Sequence, residues 1–187
     1  MMSRILVAAQ GTSRVLVWIG GGLILLSALM VTLEVILRKL LGMSLGGADE
    51  LSGYAFGVAT TLAFAYALFE RAHIRVDALY NLFPAWLRLI ASFFGLLLLV
   101  GFVAVVAAMA WGLVADTLTH GSRSITPLRT PLAIPQIPWL AGWLFFGACG
   151  LLIGLAALIS LLRGDTAGAF RLIGTKTIDE QIEDEKV

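Results

Sequence analysis

Charged residues are scarce in this chain. Only 13% of its 187 residues are Asp, Glu, Lys or Arg, while 59% are hydrophobic, a balance unlike that of an ordinary soluble globule. The 13 basic and 12 acidic residues nearly cancel, so no bulk charge favours a nucleic acid as partner. We therefore expect membrane lipids to surround the chain and no nucleic acid to bind it.

Cysteine and histidine are almost absent. The single Cys149 excludes an intrachain disulfide and a thiol pair for a metal. A haem held by two histidines would need His73 and His120 at similar depth, whereas the topology derived below puts them on opposite sides of the membrane. The chain also lacks HExxH, GxSxG and phosphate-loop motifs. We predict no enzyme activity, no catalytic residue, no cofactor and no bound metal.

Long apolar runs dominate what remains. Each is close to or longer than the roughly 20 residues that a helix needs to cross a bilayer, and the first is too long for a signal peptide. The runs cover about residues 15–37, 51–69, 89–115 and 139–162. They predict an all-α membrane protein with four transmembrane helices, in which residues 1–162 form one transmembrane domain and residues 163–187 a charged cytoplasmic tail.

The basic residues indicate the orientation, since an even number of crossings puts both termini on one side. Nine of them share the side of the termini: Arg4, Arg14, Arg71, Arg75, Arg88, Arg163, Arg171, Lys176 and Lys186. Four lie on the other side: Arg38, Lys39, Arg123 and Arg129. The excess of positive charge predicts that both termini are cytoplasmic.

The first loop holds the most informative polar residues. Glu34 and Arg38 are spaced i, i+4 with the acid first, so we expect them to pair near the membrane surface. Residues 38–51, "RKLLGMSLGGADEL", mix leucines with charges and glycines. Two structures remain open for this stretch: a short amphipathic helix in the membrane interface, or an ordinary polar loop.

The segment between the second and third apolar runs, "FERAHIRVDALY", gathers charges at residues 69–80. Such a cluster at a membrane exit usually anchors the chain and sets its topology. His73 and Asp77 are i, i+4 neighbours if the segment is helical, and they share a face with Arg75 if it is extended. Both geometries permit a local network of charged hydrogen bonds.

The helices show small-residue surfaces but little polarity. Gly53 with Gly57, and Gly150 with Gly154, form GxxxG motifs that let another helix approach closely, in this chain or in another subunit. The central parts of the runs carry no charge, and no internal repeat is present, unlike in an autonomous permease. The pattern favours an accessory or scaffolding subunit.

In the order and spacing of several segments, the chain resembles the small membrane subunit, the Q component, of tripartite ATP-independent periplasmic (TRAP) transporters. The segments are "EVILRKLLG", "DELSGYAF", "HIRVDAL" and "GSRSITPLRTPLAIPQIPW". The resemblance covers about residues 15–160. Arg38, Glu50 and Tyr54 match positions of the family, as do His73 and Asp77.

The resemblance implies a function. Such transporters import organic acids, carboxylates or sulfonates, by sodium symport across the bacterial inner membrane. A periplasmic substrate-binding protein delivers the substrate, and the large membrane (M) subunit carries the substrate and sodium sites. This chain would be a multi-pass scaffold for that subunit, with no sodium site of its own. The candidates for structural or subunit-interface roles are Glu34, Arg38, Glu50, Tyr54, His73, Arg75 and Asp77.

Two other classes remain open. In a self-assembling small exporter or channel, the GxxxG faces would join copies of the chain and Glu34 would titrate. A haem-bearing membrane anchor of an oxidoreductase would show a Soret band in the purified protein.

Overall fold

The computed structural model describes residues 2–72 and 83–174. In these ranges the chain forms α1 (Met2–Leu41), α2 (Ala48–Phe69), α3 (Ala85–His120), α4 (Ala133–Leu162) and α5 (Thr166–Ile173). The first four helices are long and apolar enough to cross a membrane, which confirms the predicted fold class. The cytoplasmic placement of the termini and the division into a domain and a tail stay predictions.

The helices run well beyond the apolar segments that predicted them. α1 has 40 residues and is therefore about 60 Å long, twice the thickness of the hydrocarbon core. Its first turns carry Arg4 and Arg14, so composition alone placed them outside the span. They are helical nonetheless, and Leu6 and Ala9 pack on the protein core. The apolar run thus predicts which part of α1 lies inside the membrane. The start of the helix depends instead on the packing of its first turns against the protein core.

The stretch between α1 and α2 holds no separate helix, so the interfacial helix considered above is not formed. Residues 38–41 belong to the last turn of α1, and residues 42–47 are a loop. Gly42 and Gly46 take left-handed backbone angles, with φ of 64° and 70°. Such angles end a helix and suit glycine, because other residues pay a steric penalty there.

The four long helices lie in a row. α1 packs on α2, α2 packs on α4, and α4 packs on α3, so the order across the layer is α1, α2, α4, α3. α1 and α3 are the edges, and their most apolar stretches have the smallest share of buried residues. The result is a layer about one helix thick, with apolar side chains on its broad faces and along both edges.

The core of the layer is centred on α4. Phe146, Cys149, Ile153 and Ala157 of this helix are buried together with residues of α2 and α3. Trp143 adds an aromatic contact to α2, with its ring centre 5.1 Å from that of Phe64. Cys149 is fully buried here.

Glycines set the closest helix contacts. A Cβ atom at Gly142 of α4 would lie 2.9 Å from the backbone carbonyl carbon of Thr61 in α2. The GxxxG motif of Gly150 and Gly154 is filled from within the chain, since α3 places Val100 and Leu96 against it. A Cβ atom at Gly53, by contrast, would meet nothing within 4 Å. The partner of the α4 motif is therefore α3, while Gly53 stays open.

The short helix α5 packs back on the ends of α3 and α4. Its N-cap is Asp165, whose side chain accepts a 2.7 Å hydrogen bond from the amide of Gly168. Ala169 and Ile173 are buried on its inner side. The guanidinium carbon of Arg88, near the start of α3, lies 5.9 Å from the ring centre of Phe170. We call this end of the layer the tail end.

Candidate functional site

Two loops meet at the opposite end of the layer, which we call the loop end. The first loop covers residues 42–47 and the second covers residues 121–132. Gly121 ends α3 in a left-handed conformation, with φ of 60°. The second loop then doubles back, since a bridge pairs Arg123 with Pro131. This fold brings its polar side chains over the start of α2.

Glu34 forms the first polar centre of the loop end. Its side chain is almost entirely buried, while that of Arg38 is 61% exposed. Arg38 donates to the carboxylate Oε1 through Nη2 at 2.6 Å and Nε at 3.2 Å. The Ser44 hydroxyl donates to the same oxygen at 2.7 Å, and the Leu45 amide donates to Oε2 at 2.6 Å. Glu34 thus holds the first loop against the end of α1.

Glu50 forms the second polar centre. Tyr54, one turn later in α2, donates its hydroxyl to Oε1 at 2.8 Å. The hydroxyl of Thr126, from the second loop, donates a short hydrogen bond to Oε2. The Oγ of Ser124 lies 2.7 Å from that of Thr126 and accepts from the amide of Thr130 at 3.0 Å. Glu50 therefore joins α2 to a loop 76 residues further along the chain.

An apolar contact closes the loop end beside the two carboxylates. A Cβ atom at Gly47 would lie 2.6 Å from Cγ of Leu128, so the absence of a side chain at Gly47 lets this leucine pack closely. An open cleft of about 220 Å³ remains between the two polar centres, with Asp49 and Pro127 also on its walls. The two loops thus touch through one tight apolar contact, and hydrogen bonds tie each of them to a helix.

The arrangement is suited to holding structure. Donors from this chain already engage both oxygens of Glu34 and both oxygens of Glu50. Hydrogen bonds to carboxylates are among the stronger ones in proteins, and buried carboxylates need such partners. In the described ranges, no three His, Cys, Asp or Glu side chains are grouped as metal ligands. The two centres form a polar clasp, by which we mean Glu34 and Glu50 with their hydrogen-bond donors.

Comparison with known families assigns the chain. Residues 27–165, well over half of the sequence, match the family described as "Tripartite ATP-independent periplasmic transporters, DctQ component". The chain belongs to this family. Comparisons with curated proteins and with solved structures gave no match.

Membership in the family indicates the complex to which the DctQ chain belongs. It is a small permease subunit of a TRAP transporter, a transporter component with four membrane-spanning helices. The family works as one part of a tripartite transporter, together with an M component and a substrate-binding component. The matched range includes the polar clasp and all of α2, α3 and α4.

The structure places four of the predicted residues of this DctQ chain at the loop end. The ion pair expected between Glu34 and Arg38 is present. Glu50 and Tyr54 bond to each other and form a centre separate from that pair. His73, Arg75 and Asp77 lie outside the described residues. A role of any of the seven at a subunit interface stays a prediction.

Sequence reasoning missed the partners from the loops. Ser44 and the Leu45 amide bind Glu34, and Ser124 and Thr126 complete the Glu50 centre. The hydroxyl-rich stretch "SRSIT" before Pro127 was a signal that this loop could supply donors. Nothing in the local pattern links it to Glu50.

Proposed function

We propose that this DctQ chain is a fixed scaffold for the large transport subunit of a sodium-coupled TRAP transporter. The transporter imports organic acids, carboxylates or sulfonates, across the bacterial inner membrane. The sodium and substrate sites lie in the large subunit, and this chain binds no cofactor. The observation that carries the proposal is the arrangement of the long helices in a single layer. This layer has broad apolar faces, and contacts of polar side chains hold its two ends.

The interior of the layer supports a scaffold rather than a solute path. Uncharged stretches of α1, α2, α3 and α4 fill the membrane-spanning region. The hydroxyls of Ser27, Thr32 and Thr60 donate to backbone carbonyls one turn earlier in their own helices. Because these hydroxyls already make hydrogen bonds within their own helices, they are not arranged to bind an ion or a carboxylate that crosses the membrane.

The ends of the layer support rigidity. At the loop end, the polar clasp ties the first and second loops to α1 and α2. At the tail end, α5 packs on α4 and meets Arg88 of α3. A subunit held at both ends keeps its shape while a partner moves against it. The exposed apolar residues of α1 and α3 provide area for that partner and for lipid.

The same observations disfavour a self-assembling exporter or channel. That function would use Glu34 as a titrating group, but its carboxylate is occupied by Arg38, Ser44 and Leu45. It would also use GxxxG faces between copies, but the α4 motif already packs on α3.

Reconstitution tests the scaffold. The candidate large subunit and its binding protein are placed in liposomes with and without this chain, and sodium-driven uptake of radiolabelled organic acids is measured. We expect uptake only with the chain present. Full uptake without it would overturn the proposal, as would proton-coupled flux through the purified chain alone that Glu34→Gln abolishes.

A further inference from the structure

A second cleft, away from the loop end, opens between α1 and α2. It has a volume of about 550 Å³ and is lined by Arg14, Val17, Trp18 and Tyr66. This volume falls in the ~300–1,000 Å³ range of small-molecule sites. Nothing in the scaffold role uses these residues.

The cleft lies at the membrane boundary opposite the polar clasp. Arg14 is 20 residues before Glu34 on the same helix, and the stretch between them carries no charge. At 1.5 Å per residue this separation is about 30 Å, the thickness of the hydrocarbon core. Since Glu34 sits at the loop end, Arg14 reaches the headgroup layer on the other side.

The polar groups of the cleft have no partner within the described part of the chain. Across residues 2–72 and 83–174, neither the Arg14 guanidinium nor the Tyr66 hydroxyl makes an ion pair or a hydrogen bond. The cleft therefore presents a guanidinium and a hydroxyl donor that no residue of the described ranges engages.

Apolar groups continue the cleft toward the membrane interior. Trp18 follows Arg14 by one helical turn and is 78% exposed, as suits an indole at the headgroup level. Beyond it along α1, Leu25, Leu26 and Leu29 are also exposed. A polar head over an apolar strip matches the shape of a phospholipid, with a charged phosphate above hydrocarbon chains.

We propose that this cleft binds the phosphate of an anionic phospholipid. Arg14 pairs with the phosphate, since a guanidinium can donate two parallel hydrogen bonds to it. Tyr66 donates a further hydrogen bond, and the acyl chains lie along the exposed leucines of α1. The predicted cytoplasmic N-terminus puts the cleft in the leaflet where anionic lipids face the cytoplasm. The apolar strip selects a lipid over a soluble phosphate.

Native mass spectrometry of the full-length chain tests the site. The chain is purified in mild detergent and offered phosphatidylglycerol and phosphatidylcholine with identical acyl chains. We expect preferential binding of phosphatidylglycerol, lowered about tenfold by Arg14→Gln and about threefold by Tyr66→Phe, as for one charged and one neutral hydrogen-bonding group. Arg14→Lys should bind more weakly than the parent chain but better than Arg14→Gln, because it keeps the charge and loses the pair of parallel hydrogen bonds.

Arg4→Gln is the matched control, since it removes an exposed arginine from the same helix outside the cleft. An equal loss of binding in Arg4→Gln would overturn the proposal, because general attraction would then explain the preference. Equal binding of the two lipids would overturn it too, and so would equally effective competition by soluble glycerol phosphate. If Arg14→Gln abolishes assembly with the large subunit but leaves lipid binding unchanged, Arg14 pairs with a protein carboxylate and the proposal is wrong.

Discussion

The seam between α2 and α4 lies at the middle of the helix layer, and Gly142 packs tightly against α2 there. Replacing Gly142 by Ala would place a Cβ atom 2.5 Å from Oγ1 and 2.7 Å from Cβ of Thr61. The same atom would be 2.9 Å from the backbone carbonyl carbon of Thr61. Because one of these neighbours is backbone, no change of rotamer can relieve the overlap, and the helices must separate.

The magnitude follows from the distances. Carbon atoms pack best at about 3.5–4.0 Å, so the two helices would move apart by roughly 0.5–1 Å at this point. Overpacking of this kind costs about 1–3 kcal/mol. Lipid supplies no hydrophobic force to drive helices together, so packing contributes a large share of the stability of such a seam. We expect Gly142→Ala to lower the free energy of unfolding by about 1–3 kcal/mol.

The assay is denaturation in mixed micelles of mild detergent and sodium dodecyl sulfate, followed by circular dichroism. Gly53→Ala is the matched control, because a Cβ atom there meets nothing within 4 Å. Gly150→Ala provides a second comparison, since its nearest neighbour is the side-chain Cγ2 of Val100 at 2.9 Å. Adding Val100→Ala should rescue Gly150→Ala, whereas adding Thr61→Ala should not rescue Gly142→Ala.

Two results would refute this reasoning. Parental stability of Gly142→Ala would mean that α2 and α4 are not in close contact. An equal loss of stability in Gly53→Ala and Gly142→Ala would mean that any added methyl group in these helices is harmful, whether or not it lies at the seam.

Three further predictions concern the two ends of the layer. Thr126→Val keeps the side-chain shape but removes the donor to Glu50, and it should lower stability by about 1 kcal/mol in the same denaturation assay; Thr119→Val, a change on the exposed side of α3, should have a smaller effect. Glu34→Leu removes the acceptor of the Leu45 amide, so hydrogen exchange at residues 43–47 should accelerate while the middle of α4 stays protected; unchanged exchange would contradict the hydrogen bond. Phe170→Ala removes the aromatic contact of α5 with Arg88 and should make the segment after residue 163 more sensitive to protease, whereas Arg171→Ala, on the exposed side, should not.

The polar clasp shows how far sequence reasoning reaches at a site. The pairing of Glu34 with Arg38 could be predicted, because a helix brings residues i and i+4 together whatever surrounds it. The bond from Thr126 to Glu50 could not, because it depends on how a loop 76 residues away folds over α2. Of the two structures considered for the first loop, the interfacial helix is not formed. The loop contains glycines with left-handed backbone angles, and its donors bind Glu34.

The sequence by itself determined the class of this protein and the number of its spans. Long uncharged runs must be helical in lipid, since no other local structure satisfies their backbone there. The order of the helices across the layer was decided only by the tertiary structure, and so was the filling of the α4 GxxxG motif by α3. Small residues show that a surface can accept a helix but not which helix, because any neighbour that fits gains similar packing. The cleft of Arg14 and Tyr66 was likewise decided by the tertiary structure. Arg14 lies on α1 and Tyr66 on α2, and only the packing of these two helices brings the residues together.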